Sequence, residues 1–552
     1  MPDTPRLVGA GPLVRAVCQA IGLQEIIDQH VSWDPARCKL SPGERILALI
    51  INILTQHRPV YRVWETFERS DPELLLGEGI ALEDLNDDCL GRALDTLQAA
   101  DARFLFSLIA ARALTLEGVD TRFVHWDSTS RSLYGEYPEA EGSAVRPTYG
   151  HSKDQRPDLK PIVWTLLCSR EGFPFFGEVR SGNASDKKMH GEVIAELCRQ
   201  FSPQQLRSFV YVADSALVTG PNLEAMAKVG LRFLSRLPET FSAAAQAKAA
   251  AWAAGTWQVL GAIGQRQDAA RYAASEQRGS IAGQTYRLVV YRSDHLDARR
   301  AKALEGEVAQ EREVLARGAE ALARQPFACA ADAEAALGAW QRQHAQAWHT
   351  LRGSVVQEQQ RERRARPGRP RKGDEPVWRT VYRVQAQVGE VDAERLATER
   401  AWRSSFVLIT NLPAEEFPAE RLLVEYKQQT SIEQRFHFLK DPLIVDAFFV
   451  HKAERVEALG YVLMLALLVF AILERRVRVP GKPLYTPSRG LLARPTGFET
   501  LNHLQGAMVM CAGPGRRELY VQPSFRRTFA EILARAGFEE TIYTSVPTRR
   551  TG

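Results

Sequence analysis

Five short apolar runs between residues 122 and 234 limit the possible folds of this chain more than any other feature. Their content of β-branched, aromatic and other apolar residues is typical of buried β-strands. The runs are Arg122–Trp126, Ile162–Cys168, Pro174–Val179, Phe209–Ala213 and Leu231–Leu234. Two segments with helical patterns, Asp186–Gln200 and Pro221–Val229, lie between the later runs. Strands that can pair antiparallel, followed by strand–helix units, predict an α/β fold with a mixed sheet flanked by helices.

Residues 1–118 are predicted to form an all-helical N-terminal domain, because they contain amphipathic stretches and almost no alternating strand pattern. The clearest helix start is Ser41, which is followed by Pro42 and by Glu44 three positions on. Ser at the cap and Glu at the third position can satisfy the first backbone N–H groups, and Pro is tolerated in the first turn. We therefore expect a helix at Pro42–Thr55.

The first part of the sheet core is assigned to residues 119–239, and an α+β insertion is predicted at 240–402, where Ala, Gln, Arg and Glu dominate. Within the insertion, a charged stretch from Asp294 to about His349 predicts one long helix between strand-like pieces. The basic, Pro-containing run 361–372 is too charged to pack and predicts a mobile loop.

The core is predicted to resume at 403–476 with the strand Ser405–Thr410. The apolar run Ala458–Leu473 has 16 residues, which is short for a membrane span and favours a buried core helix. A C-terminal region, 477–552, carries one convincing helix, Ser524–Ala536.

The composition of the whole chain excludes several classes of protein. A length of 552 residues with 45% hydrophobic residues predicts several domains with sizeable cores. The net charge of +5 is mild, so a nucleic-acid surface would have to come from local clusters. Seven scattered cysteines without a CxxC pair argue against a disulfide framework or zinc knuckle and indicate a reducing cytosol. The N-terminus has no signal-peptide pattern.

Three acids suggest a metal site. Asp127 ends the apolar run Phe123–Trp126, and Asp214 ends Phe209–Ala213. Glu433 lies in a stretch that, if helical, places it on one face with other polar residues, which are Tyr426, Gln429 and Lys440. Acids at strand ends and on a later helix can converge on two Mg²⁺ ions about 3.5–4 Å apart, which align and neutralise a phosphodiester in transfer. The pattern predicts an enzyme that cuts and joins DNA, with Asp127 bridging both ions.

Each of these acids also has a purely structural interpretation. Asp127 and Asp214 could be ordinary strand-end or helix-capping carboxylates. Glu433 could be a solvated helix residue, with Glu425 as a rival acid on another face. Asp186 could be a further ligand, but its position after Asn-Ala-Ser favours the start of a helix.

Several blocks of sequence, in order, carry a family resemblance. They are His125–Thr129, Tyr149–Lys160, Gly172–Pro174, Gly182–Asp186, Val212–Asp214, Leu234–Pro238 and the Tyr426, Glu433 and Lys440 signature. In these blocks the chain resembles the DDE transposases of bacterial insertion sequences, specifically insertion-sequence family 4 and its 1634-type branch. The resemblance implies a ribonuclease-H-like core, with Asp127, Asp214 and Glu433 as catalytic metal ligands.

The resemblance also implies the reaction and its partners. A transposase of this kind cleaves double-stranded DNA at the terminal inverted repeats of the element and inserts the element into target DNA by strand transfer. Two Mg²⁺ ions would serve as cofactors, and Mn²⁺ could substitute. We expect a homodimer on DNA, no membrane association and a cytoplasmic, nucleoid-associated location. The helical N-terminal domain, basic at Arg58, Arg62 and Arg69, is the candidate for binding the element ends.

Contact with the phosphate backbone is expected from Tyr426 and Lys440, although Tyr426 could simply pack and Lys440 could pair with Asp441 or Asp446. The signature has Arg where this chain has Gln429, and a neutral amide cannot make the charge-assisted bidentate contact of a guanidinium. The nearest cations that could replace it are Lys427 and Arg435.

A second DNA contact is expected from the basic loop. It resembles an AT-hook, in which a Gly-Arg-Pro core lies in a narrow minor groove, and its residues in that role are Arg366, Arg369, Arg371 and Lys372. A solvated basic linker is the alternative. Two other functions stay open for the chain, a catalytically inactive transposase-derived DNA-binding protein and a ribonuclease-H-like nuclease that does not join.

Overall fold

The computed structural model describes residues 4–36, 38–133, 145, 160–182, 186–264, 269–295, 298–362, 377–440 and 453–549. The chain forms two compact units. The first consists of Met1–Pro238, Ser280–Arg287 and Ile409–Gly552, and the second of Glu239–Gly279 and Leu288–Leu408. Most of the second unit is therefore a single long interruption of the first in the sequence.

The first unit is built on a mixed sheet, as predicted. From one edge its strands are Pro174–Ser181, Lys160–Ser169, Phe123–Leu133, Val210–Ala213 and Arg232–Arg236. The first three pair antiparallel, and the last two run parallel to Phe123–Leu133. At the far side, Thr410 ends the strand Phe406–Thr410, and its Oγ1 donates a hydrogen bond to the Phe233 carbonyl at 2.6 Å. In sequence order the five core strands stand 3-2-1-4-5.

The strand Phe123–Leu133 is longer than its apolar run predicts. Its second half contains Ser128, Thr129, Ser130 and Ser132, which are polar but buried. These residues pair in continuous register with Lys160–Ser169. Backbone hydrogen bonds between the two strands, and not apolar side chains, therefore extend Phe123–Leu133. Asp127 therefore lies within the strand and not at its end, which corrects the expectation from sequence.

A long apolar helix, Ala453–Val477, forms the centre of the first unit. It is long and apolar enough to cross a membrane, but its most apolar 18-residue stretch is entirely buried inside the protein, as predicted for a core helix. N-terminal helices pack on it, and Arg455 of this helix forms an ion pair with Asp95 at 2.7 Å.

The N-terminal region is helical, as predicted. Its helices are Gly11–Ala20, Leu23–His30, Pro42–Thr55, Trp64–Glu68, Pro72–Leu76, Asp87–Ala99 and Ala102–Leu116. The capping box at Ser41 is formed, since its hydroxyl accepts from the Glu44 backbone N–H at 3.1 Å and the Glu44 carboxylate accepts from the Ser41 N–H at 2.8 Å. Two basic residues proposed to bind DNA, Arg58 and Arg62, both pair with Glu65.

Further helices complete the described part of the first unit. They are Asp186–Gln200, Pro203–Ser208, Gly220–Val229, Ala419–Lys427, Thr430–Lys440, Gly497–Leu504, Pro523–Ala536 and Thr541–Thr544. The C-terminal region also contains strands that the sequence did not reveal. Arg6–Leu7 pairs with Met508–Gly513, which pairs with Arg516–Tyr520, and Leu484–Thr486 pairs with Gly490–Leu492.

In the second unit, the prediction of one long helix from Asp294 to about His349 is wrong. Two helices, Ala298–Arg324 and Ala330–Gln343, occupy this stretch, because Pro326 cannot continue a helix. His349 begins the strand His349–Arg361, which forms a hairpin with Trp378–Val391. Other elements of the unit are Ser242–Ala254, Gln258–Ala262 and Ala393–Ser404, together with most of the strands Arg271–Ile281 and Gln284–Ser293. Its core contains Leu315, Leu337, Trp340 and Val384.

Candidate active site

Two predicted acids and one arginine stand level on three neighbouring parallel strands. The register pairs His125 with Val212, and Ala213 with Ser235. Two residues beyond the first pair, the same register places Asp127 level with Asp214. One residue beyond the second pair, it places Asp214 level with Arg236. The Asp214 backbone is extended, with φ −69° and ψ −175°, so it prolongs its strand. Because adjacent strands lie about 4.8 Å apart, the three side chains share one region of the sheet.

Asp127 is half-buried, and its Oδ1 accepts a hydrogen bond from the Ser128 backbone N–H at 2.7 Å. Its charge reaches Cys168 on the neighbouring strand, where burial raises the pKa of the thiol and Asp127 raises it further. The carboxylate therefore lies on the face of the strand that also carries His125.

Asp214 caps the short turn that follows its strand. Its Oδ1 accepts from the Ala216 backbone N–H at 3.0 Å, and the Ser235 hydroxyl donates to its main-chain carbonyl at 2.7 Å. The side chain remains 51% exposed. A carboxylate that is fixed at its backbone and still reaches solvent can bind an ion or a substrate.

Tyr426 lies within electrostatic range of both acids. Burial raises the pKa of its phenol to about 12, with further upward contributions from Asp214 and Asp127 and a downward one from Arg236. All three charges thus act on one hydroxyl, which stays protonated at neutral pH. The phenol can donate a hydrogen bond at this place, as phosphate binding requires.

The stretch that carries Tyr426 and Glu433 is not one continuous helix. Ala419–Lys427 and Thr430–Lys440 are separate helices, and Gln428 and Gln429 form the turn between them. The Thr430 hydroxyl donates to the Lys427 carbonyl at 3.1 Å and so satisfies the end of the first helix. Tyr426 therefore does not share a helical face with Glu433, whereas Lys440, seven residues on, does. Gln429 precedes Glu433 by one turn, since its carbonyl accepts from the Glu433 backbone N–H at 3.3 Å.

The helix Thr430–Lys440 is fixed by buried contacts around Arg435. The Arg435 guanidinium donates to the Gly172 carbonyl at 2.7 Å and to Glu474 of the central helix at 2.7 Å. Gly172 has φ +77°, and a Cβ there would lie 2.9 Å from the guanidinium, so only glycine suits the position. Arg435 is buried and cannot take the place of the missing signature Arg.

Glu433 itself is exposed on this helix. Among the described residues, no group of three or more His, Cys, Asp and Glu side chains stands close enough to hold a metal ion. Asp127 and Asp214 are thus aligned on their strands, and Glu433 is not grouped with them in a metal cluster. Carboxylate oxygens are the ligands that Mg²⁺ prefers, so the chemistry of the aligned pair fits that ion.

The other predicted residues occupy varied places. Lys440 is half-buried, and its carbonyl accepts from the Arg131 guanidinium at 3.0 Å. Glu425 is buried 3.2 Å from the Arg170 guanidinium, and burial raises its pKa, so it is a core acid. Asp186 begins a helix, as predicted. The side chain of Asp186 lies outside the described residues, as do Asp441, Asp446, Arg366, Arg369, Arg371 and Lys372.

Two residues of this region were missed by sequence reasoning. Arg236 follows a predicted strand, the same signal that identified Asp127 and Asp214, and could have been found. His190 has its Nε2 3.7 Å from Asp214 Oδ1, but nothing in the sequence near it pointed to this place.

The comparisons with known proteins identify the family of the chain. A search of curated proteins gives no match. Residues 6–111 match a domain of unknown function, DUF4277. Residues 120–469 match the transposase DDE domain, which covers more than half of the chain. The chain therefore belongs to the DDE transposase family.

Proposed function

We propose that this transposase catalyses Mg²⁺-dependent cleavage at the ends of a mobile element and joins them to target DNA by cut-and-paste transposition. The observation that carries the proposal is that Asp127 and Asp214 both lie two residues beyond the paired His125 and Val212 of adjacent parallel strands, and that both charges act on the Tyr426 phenol. Two carboxylates that a sheet holds level are a preorganised site for divalent ions. The strand order 3-2-1-4-5 supports a ribonuclease-H-like core, and the chain is proposed to be of the insertion-sequence family 4, 1634-type branch.

Asp127, Asp214 and Glu433 are the proposed ligands. When bound, two Mg²⁺ ions would activate the attacking oxygen and neutralise charge on the leaving oxygen. Because Glu433 is exposed, its side chain can turn toward the aligned pair without breaking a buried contact. The contacts of Arg435 hold the helix while it does so.

The phosphate is proposed to lie between the sheet and the two helices. The neutral Tyr426 phenol donates to one phosphate oxygen, and Arg236, which acts on the same phenol, supplies the cation that Gln429 cannot. Lys440 adds a positive charge on the same face of the helix, two turns after Glu433. Each group lowers the negative charge that develops as the bond breaks.

The remaining assignments extend this proposal. The helical residues 1–118 bind the terminal inverted repeats, and the basic residues Arg366, Arg369, Arg371 and Lys372 bind the minor groove or, as a linker, the backbone. The core is divided at 119–239 and 403–476 by the 240–402 insertion. Two copies act together on DNA, in the bacterial cytoplasm, because both ends of the element must be held.

A catalytically inactive DNA-binding protein is the second candidate. It is favoured by Gln429 in place of the signature Arg, and because no three acids among the described residues are grouped closely enough to hold a metal ion. An assay with Mg²⁺ distinguishes it, because an inactive protein binds element ends without cutting them. Cutting without joining would indicate a nuclease.

The decisive experiment substitutes the three acids. Asp127→Asn, Asp214→Asn and Glu433→Gln are each expected to abolish cleavage of an element-end duplex in Mg²⁺, by about a thousandfold or more, since each removes one ligand charge. Binding of the same duplex, followed by gel shift, should stay close to wild type. Glu420→Gln is the matched control, because Glu420 is an exposed acid on the preceding helix. Full cleavage by any of the three variants would refute this site.

A further inference from the structure

We propose that His190 is a positioning residue that fixes the orientation of the Asp214 carboxylate for metal binding. The inference rests on the proposed function, because it assigns a partner to one of the proposed ligands. His190 lies on the helix Asp186–Gln200. Its ring contacts one residue of the strand that carries Asp127 and one residue of the strand that precedes Asp214.

The ring of His190 is held on three sides. It is fully buried, and its centroid lies 3.9 Å from that of Trp126, the residue before Asp127. Its Nδ1 lies 3.1 Å from the hydroxyl of Tyr211, which is on the Asp214 strand. Its Nε2 lies 3.7 Å from Asp214 Oδ1. A buried ring with this packing has little freedom, so the direction of Nε2 is set by the fold.

The contacts with Tyr211 and Asp214 together select the tautomer. Burial, together with the negative charge of Asp214, raises the pKa of Tyr211 well above its usual value, so its hydroxyl is protonated. When that hydroxyl donates to Nδ1, the ring proton is on Nε2 and points to the carboxylate of Asp214. The opposite arrangement would direct the Nε2 lone pair at the carboxylate and is repulsive.

The Nε2 atom makes no hydrogen bond with any other described residue. A buried N–H without a partner is costly, and Asp214 Oδ1 lies about half an ångström beyond normal hydrogen-bond length. A small rotation of the exposed Asp214 side chain closes the gap. The closed contact joins the Ala216 N–H in fixing the carboxylate, as carboxylate–histidine partners do around metal sites.

A chain of three residues therefore runs from the buried sheet to the proposed ligand. Tyr211 holds Nδ1 of His190, and Nε2 of His190 orients Asp214. Loss of such an outer partner typically weakens metal affinity or activity by about 10–100-fold. A role in packing alone would not depend on a hydrogen-bond donor at Nε2.

The test compares two substitutions of similar size. His190→Phe keeps an aromatic ring beside Trp126 but has no donor, whereas His190→Gln places an amide N–H near the position of Nε2. The full-length protein is titrated with Mn²⁺, and binding is followed by electron paramagnetic resonance. We expect His190→Phe to raise the dissociation constant for Mn²⁺ by about 10–100-fold and His190→Gln by only a few-fold. Equal, near wild-type binding by both variants would overturn the inference.

Asp214→Asn separates this inference from the proposed function. If Asp214→Asn weakens Mn²⁺ binding and His190→Phe does not, only the role of His190 fails. If Asp214→Asn leaves binding unchanged, the ligand assignment fails and the inference fails with it.

A second measurement needs no substitution of His190. In protein labelled with ¹⁵N-histidine, the His190 signals should report a proton on Nε2, and Tyr211→Phe should change them. A proton found on Nδ1 in the wild-type protein would also overturn the inference, even if His190→Phe does not fold.

Discussion

Arg236 carries the permanent positive charge that binding of a phosphate group needs, and Gln429 does not. An amide cannot make a charge-assisted bidentate contact, and Gln429 occupies the signature position of an Arg. Arg236 stands level with Asp214 and acts on the Tyr426 phenol together with both acids. In the proposed site the positive charge therefore comes from Arg236 on the sheet and not from the turn at Gln429.

Arg236→Gln is expected to lower the rate of cleavage of an element-end duplex by roughly 10–100-fold, because a hydrogen bond to a charged group contributes about 1.5–3 kcal/mol. The rate is measured in single-turnover assays with Mg²⁺. Gln429→Arg in the same variant should recover part of the loss, since Gln429 lies in the turn next to Tyr426.

Arg232→Gln is the matched control for Arg236. Arg232 begins the same strand and pairs with Glu416 at 3.5 Å, at the opposite end from Asp214. Its substitution should leave the rate of cleavage within about twofold, as expected for a partly exposed ion pair away from the proposed site. Equal losses from Arg232→Gln and Arg236→Gln would indicate a general effect of charge and not a contact at the site.

The sequence contained enough to predict part of this arrangement. An acid directly after an apolar run is visible without a structure, and it identified Asp127 and Asp214. The alignment of the two depends on the register between distant strands, which no local pattern encodes. His190 could not be found for a related reason, because its partners Tyr211 and Asp214 come from another element.

Arg435 shows how one buried side chain can hold a whole element. Its guanidinium joins the helix Thr430–Lys440 to the turn at Gly172 and to the central helix at Glu474. Glu474 also pairs with Arg478 at 2.8 Å and accepts from the Gly497 N–H at 3.0 Å. These contacts stabilise the helix, and they leave the Arg435 guanidinium unavailable for a contact with DNA.

Arg435→Met is expected to lower the free energy of unfolding by about 3–5 kcal/mol, because removing one partner of a buried pair leaves the other incompletely compensated. The value should fall at the low end of this range, since Arg478 still neutralises Glu474. Denaturant unfolding measures it. His437→Ala, exposed on the same helix, should change stability by about 0.5 kcal/mol or less. Unchanged stability with weakened DNA binding would instead make Arg435 a DNA contact.

Elements were predicted best where one local signal dominated. The helix Pro42–Thr55 starts at a capping box and was predicted to the residue. The insertion helix was predicted too long because its charged composition hid the break at Pro326. The polar half of Phe123–Leu133 was missed because its strand state depends on pairing with Lys160–Ser169. The turn at Gln428 and Gln429 was missed because both residues are good helix formers.

The central helix Ala453–Val477 connects the parts of the first unit at the scale of the whole molecule. Helices near both ends of the chain pack on it, including Pro42–Thr55, Asp87–Ala99 and Pro523–Ala536. The strand Pro174–Ser181 also contacts it, and the Val179 N–H donates to the Tyr461 hydroxyl at 3.4 Å. The N-terminal helices and the mixed sheet therefore share one core.

Leu463→Ala tests this sharing, because Leu463 is fully buried in the middle of the central helix. Loss of a buried leucine costs about 2–5 kcal/mol through the cavity it leaves. If the core is common, hydrogen exchange should accelerate together in Pro42–Thr55, in Pro523–Ala536 and in the strand Pro174–Ser181. Leu491→Ala is the control, since Leu491 is 68% exposed and its loss leaves no cavity. Faster exchange confined to the central helix would mean that its neighbours are stable without it, and that the N-terminal region and the mixed sheet have separate cores.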